Sequence, residues 1–118
     1  MKTLVIGASE NPERYSFKAI GQLVKAGHEV VAIGLKSGRV EGIEIQKGQP
    51  ILSDIDTITL YIGPVNQPVF YSYFVDLKPR RVIFNPGTEN PELFNLLREN
   101  KIEVEVACTL VLLATNSY

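Results

Sequence analysis

The sequence predicts a doubly wound, Rossmann-like α/β domain: a parallel sheet of about five strands with helices on both faces. Three observations carry this. Short β-branched runs recur along the chain, each is followed by a segment with apolar residues at helical spacing, and successive runs lie roughly twenty to thirty residues apart, as right-handed βαβ crossovers require.

Thr3-Leu4-Val5-Ile6, closed by Gly7, reads as a strand buried on both faces. Ser16 is placed to cap a helix whose Phe17, Ile20, Leu23 and Val24 share one face, and Gly27 is placed to stop it. Glu29–Ile33 is the second strand. The four glycines between Gly34 and Gly48 mark a loop with room for a small hairpin around Glu41-Gly42. Thr57–Ile62 is the third strand. Val69, Phe70, Tyr73, Phe74 and Leu77 then fall on one helical face, with Pro68 in the first turn and a cap at Asn66. Arg81–Phe84 is the fourth strand. Asn90-Pro91-Glu92 supplies a cap, a first-turn proline and an acid at the positive end of a helix that buries Leu93, Phe94 and Leu97. Glu103–Val106 is the fifth strand.

The 118 residues suit one domain, residues 1–118, with 45% hydrophobic and 21% charged side chains and no repeat or low-complexity linker. A chain of this size buries roughly two-thirds of its unfolded surface, enough for a core without disulfides or metals. Twelve Lys+Arg against thirteen Asp+Glu provide no basic field to hold a polyanion, so nucleic acid is not the expected main partner. The N-terminal apolar run is too short for a signal peptide. The longest such run, Val106 to Ala114 interrupted by Thr109, falls far short of the ~20 residues that span a bilayer. With Cys108 as the lone cysteine, a cytoplasmic location is expected.

In doubly wound sheets, ligands bind outside the carboxyl ends of the strands, where the strand order reverses. The loops after Ile6, Ile33, Ile62 and Phe84 are therefore the candidate site. In the first, Gly7 permits a sharp turn, Ala8 and Ser9 leave the main chain approachable, and the following helix presents free N–H groups and a positive dipole end, which suits a phosphate. The loop is not the G-x-G-x-x-G fingerprint, because Gly7 is its only glycine and Pro12 stiffens its middle. After the second strand an NAD site would place an acid for the ribose hydroxyls. Here the chain reads Gly34-Leu35-Lys36-Ser37, and an ammonium there suits an additional phosphate. Gly63-Pro64 forms a bend after the third strand. Asn85-Pro86-Gly87 forms a rigid polar turn after the fourth, with the Asn85 amide able to address a ligand.

Gly7-Ala8-Ser9 with Pro12, Arg14 and Ser16, then Asn85-Pro86-Gly87 with Glu89-Asn90, and Ile102-Glu103-Val104 leading to Ala107-Cys108 resemble the small stand-alone CoA-binding protein family. The resemblance covers essentially the whole chain. It implies the fold of the nucleotide-binding domain in the succinyl-CoA synthetase α subunit, and binding of coenzyme A without an implied reaction. It also implies that the first loop and helix start hold phosphates, that Lys36 lies near the adenosine end, and that Gly63-Pro64 and Asn85 to Gly87 line the adenine or pantetheine path. The family often ends its second strand in Asn-Pro-Lys, where this chain has Gly34-Leu35-Lys36.

No constellation for catalysis or metal binding accompanies these loops. His28, the only histidine, falls before the second strand at the opposite end of the sheet, and one His with one Cys makes no zinc site of the usual type. Cys108 follows the fifth strand. It is either a thiol able to meet that of CoA or, the favoured reading, an inert cysteine within its apolar run. Tyr71 and Tyr73 fall on the helix after the third strand, where Tyr73 joins the core stripe, and are not read as a stacking platform. The sequence thus points to a non-catalytic module that binds CoA or an acyl-CoA as sensor or carrier, as a monomer or homodimer. A small NAD(P)-dependent oxidoreductase and an interaction module with a vestigial nucleotide pocket are the alternatives.

Overall fold

The computed structural model describes all 118 residues. In chain order the elements are β1 (Lys2–Ile6), α1 (Tyr15–Lys25), β2 (Glu29–Ile33), β3 (Gly38–Val40), β4 (Ile43–Gln46), β5 (Thr57–Leu60), α2 (Tyr71–Leu77), β6 (Arg81–Phe84), α3 (Pro91–Glu99), β7 (Glu103–Val106) and α4 (Thr109–Ala114). Two 3-10 turns, Pro64–Asn66 and Pro68–Phe70, precede α2.

The sheet has seven strands in the order β3-β4-β2-β1-β5-β6-β7, not the five predicted. The five parallel strands read from the sequence are present. The additional pair is the hairpin around Glu41-Gly42, whose β4 adds parallel to β2 and whose β3 returns antiparallel as the edge. Its strands span only three and four residues, so the alternation of Val40, Ile43 and Ile45 with polar residues is too short to mark them as strands of the main sheet.

Register places the carboxyl ends of the parallel strands on one line. Ile6 pairs with Ile33 and Leu60, Leu60 with Phe84, and Phe84 with Val106. The order reverses at β1, which has β2 on one side and β5 on the other, and the crevice opens above Ile6.

Alternate residues of the same strands feed two cores. On the side of α2 and α3, Leu4, Ile6, Ile58, Leu60, Val82 and Phe84 pack against Phe74, Leu93 and Leu97, with the Phe84 and Phe94 rings edge to face at 4.6 Å. On the other side, Val5, Val30, Ala32 and Ile45 meet Ile20 and Leu23 of α1, with Leu113 of α4 against them. Each of those two α1 side chains contributes roughly 1.5–3 kcal/mol by burial.

Local predictions hold unevenly. Asn90 caps α3, its side chain accepting the Leu93 N–H at 3.4 Å. Ser16 does not cap α1: Arg14 occupies the cap position in extended conformation, and Ser16 is buried inside the first turn. Asn66 is not the cap of α2 either: it ends the first of two proline-led 3-10 turns, the second turn separates it from α2, Val69 within that turn is 73% exposed, and Phe74 is the one fully buried side chain of α2. The run Val106 to Ala114 is not buried throughout. It ends β7 and forms α4, with Val106 and Val111 each 57% exposed.

Candidate functional site

The loop between β1 and α1 is built by close backbone contacts. Gly7 has φ +93°, and a Cβ there would come within 3.0 Å of Tyr61 and Ile62. The Gly7 and Ala8 N–H groups both donate to the Ile33 carbonyl, at 2.9 and 3.0 Å, pinning the loop to the end of β2. Gly34 completes the junction, since a Cβ on it would fall 2.3 Å from the Ala8 carbonyl oxygen. Beyond Ala8 the loop organises itself. The Ser9 hydroxyl accepts the Asn11 N–H, the Asn11 side chain accepts the Glu13 N–H, and the Asn11 carbonyl accepts the Arg14 N–H, each at 3.0 Å.

This turn delivers the chain to α1 with no side-chain cap and no acid in the first turn. The N–H groups that open every helix are thus left to solvent or a ligand, at the positive end of an eleven-residue helix.

A cavity of about 750 Å³ lies over this end, within the range of small-molecule sites. Of the predicted residues, Gly7, Ala8, Ser9, Arg14, Ser16, Lys36, Gly63, Pro86 and Gly87 line it. Pro12, Pro64 and Asn85 do not. Pro12 and Pro64 are exposed. Sequence reasoning missed Glu10, Asn11, Tyr15, Leu35, Ser37, Tyr61, Ile62 and Thr88. Arg14 and Lys36 are exposed, and neither forms an ion pair or a side-chain hydrogen bond within the protein. Tyr15 and Leu35 stand 67% and 96% exposed on the same rim, offering apolar surface beside the two cations.

Asn85 is the hub of the opposite wall. It is buried, its amide nitrogen donates to the Thr59 hydroxyl (2.7 Å) and the Leu60 carbonyl (2.8 Å), and its amide oxygen accepts the Thr109 N–H at the start of α4 (2.8 Å). Its carbonyl accepts the Thr88 hydroxyl at 2.8 Å. Because those groups are committed, Asn85 shapes the turn at Pro86-Gly87 and does not address a ligand, contrary to the expectation from sequence. Gln67, fully buried, performs a similar task. Its amide nitrogen donates to the Ile62 and Thr88 carbonyls and its oxygen accepts from Asn90, so the loops after β5 and β6 are tied together. Nothing in its sequence neighbourhood sets Gln67 apart from a surface glutamine.

Tyr61 closes the floor of the cavity. Its hydroxyl is buried without a hydrogen-bond partner, because the nearby Thr59 and Thr109 hydroxyls bond to each other at 2.8 Å. Burial pushes its pKa up to about 12. Cys108, half-buried at the start of α4, does not line the cavity. His28 lies at the amino ends of the strands, its Nδ1 3.4 Å from the Met1 amine and its ring 4.9 Å from that of Tyr118.

The sequence pattern of the CoA binding domain matches residues 1–114. The chain belongs to that family. Among solved structures, an uncharacterized protein is 47% identical, with 99% of this chain and 97% of that one aligned at a TM-score of 0.96. The PH1109 protein redesigned for binding is 20% identical over 98% of this chain and 82% of that one, with a TM-score of 0.87. A Thermus thermophilus protein, cell-free ID.343, is 21% identical over 99% and 90%, with a TM-score of 0.86. The last two likenesses show the fold alone. No match is found among curated proteins. No helix is long and apolar enough to cross a membrane.

Proposed function

We propose that this member of the CoA binding domain family binds coenzyme A or an acyl-CoA in the cavity above Ile6, as a non-catalytic sensor or carrier. The observation that carries the reading is the pairing of an uncapped α1 N-terminus with two unpaired cations, Arg14 and Lys36, on the wall of one cavity. CoA is an anion at two separated places, its pyrophosphate and its 3′-phosphate. The α1 N-terminus with Arg14 suits the first and Lys36 the second. Tyr15 and Leu35 suit the uncharged parts between them.

Support for a non-catalytic role comes from what lines the cavity. Ser9, Ser16, Ser37 and Thr88 bring hydroxyls, yet no histidine stands near to activate one, since His28 lies at the far end of the sheet. The free thiol of Cys108 suits a reducing compartment such as the cytoplasm.

Titration calorimetry with CoA, NAD and NADP tests the reading. CoA is expected to bind and NAD not to, and NAD binding without CoA binding would overturn it. Lys36→Ala is expected to weaken CoA by about tenfold to a hundredfold while leaving dephospho-CoA nearly unchanged, as for loss of one partly exposed charge-assisted bond of about 1–3 kcal/mol. Equal weakening of both ligands would show that Lys36 does not meet the 3′-phosphate.

A further inference from the structure

The one carboxylate in the cavity wall is that of Glu10, and the structure gives it a fixed place. Its Oε2 accepts the Arg39 N–H at 3.0 Å at the start of β3. Gly38, which precedes Arg39, makes room for it: a Cβ there would lie 2.4–2.7 Å from the Glu10 Cδ, Cγ and Oε1 atoms. No lysine or arginine pairs with Glu10. The Arg39 guanidinium turns away to the Gly42 carbonyl, and the ion pairs of the protein lie elsewhere. A charge held beside Lys36-Ser37 by one backbone bond thus keeps an oxygen free on the wall those residues share.

A carboxylate is an acceptor for hydroxyl groups and repels phosphates. In dinucleotide-binding sheets an acid at the end of the second strand takes a ribose hydroxyl. That position is basic here, but folding brings Glu10 to the same corner from the first loop. We propose that Glu10 sets the specificity of this cavity: its carboxylate accepts the 2′-hydroxyl of a bound nucleotide's ribose and by its charge rejects nucleotides phosphorylated at that position. Lys36 then favours a 3′-phosphate, so the two side chains read adjacent ribose positions with opposite signs. This inference rests on the nucleotide reading of the cavity and adds a discrimination between phosphate isomers, with repulsion doing part of the selecting.

Adenosine 3′,5′-bisphosphate and adenosine 2′,5′-bisphosphate carry the same base and the same charge, so their affinity ratio reads Glu10 and Lys36 together, and its change on substituting Glu10 isolates that of Glu10. Titration calorimetry of the wild-type chain is expected to show the 3′,5′ isomer bound about tenfold more tightly or better. Glu10→Gln keeps an amide oxygen for the Arg39 N–H and removes the charge. It is expected to raise affinity for the 2′,5′ isomer severalfold and to shrink the preference by that same factor, leaving the share that Lys36 contributes. Equal binding of the two isomers by the wild type, or equal weakening of both in Glu10→Gln, overturns the assignment and leaves Glu10 as a clasp for β3. CoA run alongside separates the two failures. If CoA binds without isomer preference, only the role of Glu10 falls; if CoA does not bind, the reading of the cavity falls and this inference with it.

Discussion

The two faces of the sheet are made by the same strands and differ in kind. Toward α2 and α3, β1, β5 and β6 present only hydrocarbon: Leu4 and Ile6, Ile58 and Leu60, Val82 and Phe84. Toward α4 the intervening residues include Thr3, Thr57, Thr59, Arg81 and Asn85, all buried. There Arg81 donates to the Thr57 hydroxyl (3.0 Å) and pairs with Glu105 (2.8 Å), while the Tyr118 ring covers its guanidinium at 4.5 Å. Two polar atoms in this layer, the Tyr61 hydroxyl and the second terminal nitrogen of Arg81, have no partner. The first face supplies stability through burial. The second spends its hydrogen bonds on position, since Thr59, Asn85 and Thr109 are what join the strands to the turn at Pro86-Gly87 and to α4.

The largest test of this contrast is on the apolar side. Phe74→Ala empties a fully buried ring site and is expected to cost about 3–5 kcal/mol in denaturant unfolding. A loss under about 1 kcal/mol would mean the hydrocarbon face does not carry the fold.

On the polar side, Glu105→Ala strands the buried Arg81 charge, and a cost of about 2–3 kcal/mol is expected, reduced from the fully buried case because Glu105 is 30% exposed. The double change Arg81→Met with Glu105→Leu removes both charges and is expected to come back near wild-type stability by the same assay. If the double variant is as unstable as the single one, the pair stabilises the fold and the contrast between faces is overdrawn.

The smallest effect concerns Tyr61. Tyr61→Phe removes a buried hydroxyl that has no partner, so it is expected to be neutral or stabilising by up to about 1 kcal/mol. The same residue gives the polar face a pH signature. Burial raises the pKa of Tyr61 to about 12 from the ordinary 10.0, and burial raises that of Tyr118 too. The unfolded chain therefore loses these protons first, stability is fully present below pH 10, and it declines as pH rises toward 12. Thermal unfolding from pH 9 to about 11.5 should show that decline, less steeply in Tyr61→Phe, and parallel slopes would remove Tyr61 as its source.

The apolar face was legible in the sequence because alternate strand residues and helical stripes repeat one simple pattern: Leu4 with Ile6, Leu93 with Leu97. That the loops after β1 and β2 line one cavity was legible too, since Gly7 and Lys36 flank recognisable strand ends. What escaped was everything set by contacts between distant segments. Asn85 and Gln67 are ordinary turn and surface residue types, and only the fold shows their amides to be internal braces. Glu10 carried no signal of its own, because its partner, the Arg39 N–H, lies 29 positions away on a hairpin whose signal was weak. Ser16 misled because a serine before an apolar stripe is an ordinary cap, whereas here the Ser9 and Asn11 turns set the helix start two residues earlier.

The Tyr118 hydroxyl bonds to that of Thr3, 115 positions earlier. The helices that cover the hydrocarbon side, α2 and α3, are complete by Glu99, whereas the cover that Tyr118 gives Thr3 and Arg81 comes from nineteen positions further along the chain. Synthesis in this order makes the apolar cover available before the polar one. Thr3 and Arg81 carry a hydroxyl and a guanidinium, which water satisfies, so the wait presents no sticky surface to neighbouring chains.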